Sequence, residues 1–406
     1  MLTFKEYKEY LSEEVNQHST HIEDLIITKG KLGVNKALGG LLFLKKQFGK
    51  VSTHEYPAVT VKIDGAPAII CGWLNDYFFV ASKSIFNKTP KINFTDADID
   101  NNHTGGLAEK LHLALKYLKP VIPKGKIYQG DFLFDKNSRK AQNIDGIKSF
   151  VFQPNTIEYS VDADSELGKK IGAAKFGIIF HTEYAVSNGD IATLRLKGFG
   201  VREKDLNKTP DVWFMDAFHH NLGTIPSFDT REENKFKELE RDIRKNINKV
   251  DWNFGTDTAR HLLTFINSYI RNNTAQPTPE RKAADFKLWI SDKMTRAIEE
   301  KKSVKGKETE KAKWAPSVDY AENQKRLNAL FSIHNDLTAM KEALIAKLDS
   351  VKRLKTFLVK NDGSLVVTGN EGFVLTKTAA SGCKLVNRYN FSLANFSSDF
   401  HKGWVK

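Results

Sequence analysis

The sequence contains very little cysteine. Cys71 and Cys383 are the only two thiols in 406 residues, and they lie far apart in the chain. Two distant cysteines form neither a disulfide framework nor a thiolate cluster for a metal ion, so we expect both to be reduced. The sequence also has no internal repeat, coiled-coil tract or proline-rich tract. Solenoid and fibrous proteins are therefore excluded.

Long apolar runs are missing as well. No segment approaches the roughly 18 to 20 apolar residues that a transmembrane helix needs. The first 13 residues lack the apolar stretch of a signal peptide. These absences predict a cytoplasmic protein that has no membrane partner.

Positive charge, in contrast, is abundant. The chain has 62 Lys and Arg against 49 Asp and Glu, a formal charge of +13 and a pI near 9.3. This balance favours a polyanionic partner such as nucleic acid, because phosphate neutralisation by Lys and Arg dominates that kind of affinity. Many basic proteins nevertheless bind no polyanion, so charge alone leaves both possibilities open.

The apolar pattern divides the chain into three parts. Residues 1–230 become rich in β-branched and aromatic residues from Ala58 onward, which predicts strands. Residues 231–355 have helical spacing and carry 27 Lys and Arg against 19 Asp and Glu. Strand patterns return in residues 356–406, in the segments SLVVTG, EGFVLTK and CKLVNRYNFS. We therefore predict an α+β protein in which a basic helical insertion interrupts one antiparallel β-rich domain.

Helices are also predicted in the first part, at 2–17, at 35–48 and near Leu107 to Leu118. Within the insertion, Glu299 to Pro316 is so charged and so poor in apolar residues that we expect an exposed, mobile loop.

One short segment suggests chemistry. VTVKIDG, residues 59–65, alternates like a strand and then places Lys62 at its end. A lysine there must reach solvent, find a carboxylate or lose its proton, because an isolated buried ammonium is costly. A neutral lysine amine is a nucleophile. Taken alone, the four residues Lys62 to Gly65 favour a solvated hairpin, because such short strings occur by chance.

Further segments follow in a fixed order. VTVKIDG resembles the first motif of the covalent nucleotidyltransferases, the superfamily of ATP-dependent DNA ligases, RNA ligases and mRNA capping enzymes. Later segments that resemble the remaining motifs are ASKS (Ala81 to Ser84), YQGDF (Tyr128 to Phe132), FGIIFHTEY (Phe176 to Tyr184), NEGFVLT (Asn370 to Thr376) and CKLVNR (Cys383 to Arg388). The resemblance therefore covers about residues 57–184 and 365–388, on both sides of the insertion.

The resemblance implies a role for each matching residue. Lys62 would attack the α-phosphate of ATP and form a lysyl-AMP intermediate, within the motif that also contains Asp64 and Gly65. Glu371 would hold Mg²⁺ or Mn²⁺ or steer the lysine, and Asp131 would hold the ribose and also serve the metal. The remaining nucleotide contacts would be Lys83, Lys384 and Arg388 with the phosphates and Phe180 stacked on the purine. His181 has no metal-ligand partner at close spacing, and we interpret it as structural.

Each of these roles has a structural alternative. Phe180 could be a core residue, Asp131 could cap a turn, and Glu371 could be a solvated residue of a hairpin. Lys384 could simply face outward from its strand.

The chain also departs from the pattern of that superfamily. Ala66 follows the glycine of the first motif where many members carry arginine soon afterwards, and Val386 stands where a second lysine is usual. Only 18 residues follow Arg388, too few for the C-terminal OB-fold of DNA ligases and capping enzymes.

Several phage-type RNA ligases carry a helical domain instead of that OB-fold. The resemblance therefore implies an ATP-dependent RNA ligase of bacteriophage type, located in the host cytoplasm, with a ligase domain similar to the ATP-grasp fold. The basic insertion would then bind nucleic acid. A ligase for DNA or hybrid nicks, and a nucleic-acid-binding protein that has lost catalysis, remain alternatives.

Overall fold

The fold is a mixture of helices and mainly antiparallel sheets, as predicted. The computed structural model describes residues 20–50, 59–63, 65–217, 224–273, 275–351, 354–376, 378, 380–401 and 403. The helix predicted at 2–17 lies outside these residues.

The described helices are α1 (Leu25–Thr28), α2 (Gly30–Lys45), α3 (Asp96–Asn102), α4 (Gly105–Leu118), α5 (Glu166–Ala173), α6 (Thr230–Asn246), α7 (Gly255–Asn272), α8 (Pro279–Glu299), α9 (Val304–Glu322), α10 (Gln324–Asp349) and α11 (Arg388–Phe396). The described strands are β1 (Val59–Lys62), β2 (Ala68–Leu74), β3 (Tyr77–Ala81), β4 (Ile127–Asp135), β5 (Lys140–Ile144), β6 (Ile147–Phe152), β7 (Ile157–Asp162), β8 (Phe176–Ser187), β9 (Asp190–Phe199), β10 (Val212–Asp216), β11 (Lys355–Val359), β12 (Leu365–Val367), β13 (Gly372–Leu375) and β14 (Lys384–Leu385).

The largest sheet, here called the central sheet, has the strand order β10-β8-β4-β2-β3, with β9 also paired to β8. Its strands are antiparallel except for β10, which runs parallel to β8. Both faces are buried, because Phe176, Ile178 and Phe180 enter one apolar cluster while Ile179 enters another. This two-sided burial explains why β8 reads as a continuous apolar run.

A second sheet joins parts of the chain that are far apart in sequence. This lysine sheet consists of β1, β13 and β14. Val61 pairs with Phe373, which pairs with Leu385, and all three side chains are buried. Because directly paired residues point to the same face of an antiparallel sheet, the alternate residues of these strands must face the other way.

The third sheet has the order β12-β11-β7-β6-β5. Strands β11 and β12 come after the insertion, and β11 pairs with β7 on one side. The segment SLVVTG was predicted to form a strand, and β12 confirms this over Leu365–Val367.

The insertion folds as five helices, α6 to α10, between β10 and β11. Helix α10 contributes a stripe of fully buried apolar residues, among them Leu337, Met340 and Leu344, to the same cluster as β1 and β13. Among the described residues, no helix combines the length and apolar character needed to cross a bilayer.

Two sequence-based expectations for secondary structure need correction. The loop predicted for residues 299–316 is wrong, because α9 begins at Val304, where the Ser303 side chain caps it by accepting a hydrogen bond from the Gly306 amide. Lys, Glu and Ala are good helix formers, so high charge did not prevent a helix. The strand predicted from Cys383 to Ser392 ends at Leu385, and α11 begins at Arg388. Helices α3 and α5 were not predicted.

Candidate functional site

Lys62 meets a carboxylate at the edge of the lysine sheet. It ends β1 opposite Gly372 and forms an ion pair with Glu371, through Nζ and Oε1. The Lys62 side chain is 29% exposed and that of Glu371 only 7%. The two residues are 309 positions apart in the sequence. The amine at the end of β1 is therefore neither a solvated hairpin residue nor a buried unpaired charge.

Lys384 faces the same side of the sheet as Lys62. Thr60 and Lys384 both pair with Val374, and Lys62 lies two residues beyond Thr60 on β1. Burial lowers the pKa of Lys384, and the positive charges of Lys62 and Lys83 lower it further while Glu371 opposes them. The sheet thus brings Lys62 and Lys384 to one face beside Glu371, whereas Lys83 is exposed and lies outside this sheet, after β3.

Gly372 makes this arrangement possible. A Cβ atom there would lie 2.6 Å from both the Leu385 carbonyl oxygen and the Val386 Cγ2 atom. Its φ of +157° is also one that other residues rarely adopt. The motif glycine after Glu371 is therefore required for β13 and β14 to approach each other.

Gly65, three residues after Lys62 in the chain, has a similar steric role. A Cβ atom at Gly65 would lie 2.7 Å from the Asp131 Cβ atom. The chain that leaves β1 runs against β4 here, since the Ala66 amide donates to the Phe132 carbonyl over 3.0 Å. Asp131 is consequently close to the end of the lysine motif. Asp64 lies outside the described residues.

His181 is the partner of Asp131, which sequence reasoning missed. Its Nε2 atom lies 3.5 Å from Asp131 Oδ2, and its Nδ1 atom lies 2.7 Å from Thr182 Oγ1. Ile179 pairs with Asp131, but His181 lies at a bulge of β8, since Gly130 pairs with Phe180 and Gln129 with Thr182. Simple alternation along β8 could not predict this contact, because the bulge interrupts the alternation.

Phe180 lies on the face of the central sheet opposite to that of Ile179 and cannot stack on a nucleotide. Its side chain is fully buried, and its ring centroid lies 6.2 Å from that of Tyr128. A ring without exposed surface offers no face to a base. The structure thus contradicts the stacking role and makes Phe180 a core residue.

Arg388 is not a phosphate contact either. Its guanidinium is buried and donates hydrogen bonds to Asp24 Oδ1 over 2.9 Å and to Asn267 Oδ1 over 2.6 Å. It belongs to a buried ion cluster that we define as Glu23, Asp24, His334, Lys341 and Arg388. Within this cluster Lys341 Nζ lies 2.6 Å from Glu23 Oε1. The predicted role was wrong because the carboxylates that neutralise Arg388 come from a distant part of the chain.

The segment before Glu371 is held by a residue that no motif indicated. Asp349, at the end of α10, accepts hydrogen bonds from the backbone amide and from Nδ2 of Asn370, both over 3.0 Å. The insertion therefore contributes to positioning Glu371. Because Asp349 lies 21 residues upstream of Asn370, local sequence gave no sign of this contact.

A cavity of about 240 Å³ lies beside Glu371. Its lining includes Glu342, Asp349, Asn370 and Asn387, but neither Lys62 nor Asp131 nor Lys384. The cavity is thus not enclosed by the predicted site residues together. Among the described residues, no group of three or more His, Cys, Asp or Glu side chains is arranged to hold a metal ion.

The chain belongs to a family of unknown function, DUF6267, whose model matches residues 16–400. No curated protein and no solved structure matches the chain. Because the family description names no activity, functional arguments rest on the geometry of the site.

Proposed function

We propose that this protein is an ATP-dependent polynucleotide ligase that transfers AMP through Lys62. The observation that carries the proposal is the contact of the Lys62 amine with Glu371 on a sheet face that also bears Lys384. A partly exposed amine, a buried carboxylate and nearby cations form a suitable set for attack on a phosphate. A structural ion pair would not require the additional lysine on the same face.

The first step follows from these groups. The Lys62 ammonium gives up a proton, and Glu371 is the carboxylate in contact with it that can accept the proton. The nitrogen lone pair then forms a bond to the α-phosphorus of ATP, and the bond from that phosphorus to the bridging oxygen breaks. Pyrophosphate leaves with the electron pair. Lys384 and Lys83 would stabilise the negative charge on the phosphates.

A divalent cation would enter with the nucleotide. Mg²⁺ is usually bound by one or two carboxylates together with substrate phosphates and water. Glu371 and Asp131 fit that limited requirement, whereas the described residues offer no complete metal centre. When bound, the cation would neutralise charge on the departing pyrophosphate.

The second and third steps would join nucleic acid ends. AMP would pass from Lys62 to a 5′-phosphate, and a 3′-hydroxyl would then displace AMP. The charge of +13 supports a polyanionic substrate. We favour RNA, located in the cytoplasm of a phage-infected host, because of the resemblance to phage-type RNA ligases; a DNA or hybrid-nick ligase differs only in strand choice.

The test is covalent labelling with α-labelled ATP and Mg²⁺. We expect label that survives denaturing electrophoresis, resists alkali and is released by acid. Lys62→Ala should abolish it, whereas Lys140→Ala, at an exposed position of β5, should not. Glu371→Gln should slow labelling by about 10²- to 10⁴-fold, the usual contribution of a positioned proton acceptor. Absence of label with ATP, GTP and NAD would instead favour a non-catalytic nucleic-acid-binding protein.

A further inference from the structure

The segment that forms α2 contains no acidic residue. From residue 25 to residue 50 the sequence has six lysines and neither Asp nor Glu. The insertion, in contrast, mixes both signs throughout. Lys45 pairs with Glu233 of α6, but a stretch whose own charges are all of one sign still favours an anionic partner.

The fold turns this segment into a basic surface. One side of α2 is exposed at helical intervals of three, four and seven residues, at Leu32, Asn35, Gly39 and Lys46. Lys36 borders this stripe and is half-buried. The opposite side is core and includes Val34, Ala37, Leu41 and Leu44. Lys31 and Lys46 are about 22 Å apart along the axis at about 1.5 Å per residue.

Helix α2 lies directly against the hairpin that carries Glu371 and Lys384. A Cβ atom at Gly40 would come within 3.0 Å of Ala380 and 3.2 Å of Leu375. Lys36 precedes Gly40 by one helical turn and so shares that flank. The positive charges of Lys29 and Lys36 act on the Cys383 thiol, opposing the burial that raises its pKa to about 12. Cys383 immediately precedes Lys384, so the basic side of α2 continues into the site.

Charge pairing is incomplete both on α2 and in the most lysine-rich part of the insertion. At the junction of α8 and α9, Lys301 and Lys313 both pair with Glu310, whereas the nearby Lys302, Lys305 and Lys311 have no carboxylate partner among the described residues. On α2, Lys45 pairs with Glu233, whereas neither Lys36 nor Lys46 has a carboxylate partner among the described residues. What distinguishes α2 is its contact with the hairpin that carries Glu371 and Lys384.

Gly39 supports the same interpretation. A Cβ atom there would meet nothing within 4 Å, so no packing within the protein requires a glycine. Glycine in a helix interior costs about 0.8–1 kcal/mol relative to alanine. The open space at Gly39 leaves the helix backbone accessible to another molecule.

We propose that the exposed face of α2, with Lys31, Lys36 and Lys46, binds the phosphate backbone of the polynucleotide and leads its end to Lys62. This inference rests on the proposed function, and it moves the main polynucleotide contact from the insertion to α2. Phosphate contacts of this kind carry no sequence preference.

The experiment measures how salt weakens binding of a 5′-phosphorylated single-stranded RNA that carries a 3′ fluorophore. The variant replaces Lys31, Lys36 and Lys46 by alanine. The matched control replaces the exposed Lys302, Lys305 and Lys311 of the insertion, so both proteins lose the same charge. The α2 variant should lose about 2 from the slope of log K against log salt, at about 0.7 per phosphate contact. The control should retain the wild-type slope.

Arginine at the same three positions of α2 should restore binding, which separates lost charge from a folding defect. An equal decrease of the salt slope in both variants would mean that only overall charge matters. A decrease in the control alone would mean that the insertion binds the RNA. Either result overturns the proposal. Binding of wild-type protein to anionic phospholipid vesicles but not to RNA would also overturn it.

Self-labelling of wild-type protein with ATP is scored separately. If RNA binding depends on the α2 lysines but no label forms, the ligase proposal is wrong and the α2 binding surface is supported. If label forms but RNA binding does not depend on the α2 lysines, the ligase proposal is supported and the α2 binding surface is wrong.

Discussion

Lys341→Met tests the buried ion cluster. Lys341 and Glu23 are both completely buried and are joined over 2.6 Å. Removing one partner of a buried pair typically costs about 3–5 kcal/mol, because the other charge remains uncompensated. Arg388 Nη1 lies 3.5 Å from the same Glu23 oxygen and retains part of the compensation. We therefore expect Lys341→Met to lower the free energy of unfolding by about 3 kcal/mol, the lower end of that range.

The loss should depend on pH in a defined direction. Although burial opposes it, the cations of Lys341 and Arg388 lower the pKa of Glu23 from 4.5 to about 2 in the folded protein. The wild-type pair therefore stabilises the fold above about pH 4.5, and this contribution disappears as pH falls toward about 2. In the variant, burial is the dominant influence and raises the pKa of Glu23. Protonation then relieves the buried charge, so the deficit should shrink as pH falls below 7.

The measurement is urea unfolding followed by circular dichroism, at about pH 7 and about pH 5. Lys347→Met is the matched control, because its ion pair with Glu232 is at the surface of the same helix. A surface pair contributes at most about 1 kcal/mol. Equal losses in the two variants, or a Lys341→Met deficit that does not change with pH, would refute the reasoning.

Four further substitutions test individual features. Gly39→Ala should raise stability by about 1 kcal/mol in thermal melts, because the helix interior gains a better residue and the Cβ meets nothing; a loss would indicate an unrecognised contact. Gly372→Ala should lower the free energy of unfolding by more than about 2 kcal/mol in the same assay, because its Cβ would lie 2.6 Å from the Leu385 carbonyl oxygen. A stability equal to that of wild type would show that β13 and β14 can separate. Phe180→Leu should lower the free energy of unfolding by about 1–2 kcal/mol without changing the KM for ATP. His181→Ala should raise that KM. A KM raised by Phe180→Leu and unchanged by His181→Ala would support the stacking role of Phe180.

The sequence predicted the lysine sheet only in part. Alternation identified β1, and the resemblance selected Lys62, Glu371 and Lys384 together, which the fold brings to one face. The contact of Lys62 with Glu371 spans 309 residues. No local pattern specifies such a contact, because pairing between distant strands depends on the whole topology.

Two predictions show where pattern reasoning failed. Phe180 and His181 are adjacent on a strand that is buried on both faces, so apolar character could not tell which of them lies in the core and which contacts Asp131. Arg388 follows a strand pattern but begins a helix, and its charge is neutralised by Asp24 from the start of the chain. Both errors concern the direction of a side chain rather than its chemical type.

The amino-acid sequence by itself determined the chemical inventory of this protein: the α+β class, a basic helical insertion, and a reactive type of residue at the end of a strand. Those properties depend on short-range periodicity and on composition, which are written locally in the chain. The tertiary structure decided which charges neutralise one another and which lysines stay available to a ligand, because neutralising a charge requires atoms within a few ångströms regardless of their distance in sequence. For that reason we propose that a polyanion binds at the side of α2 that bears Lys36 and Lys46, next to the hairpin of Glu371, rather than at the most lysine-rich segment.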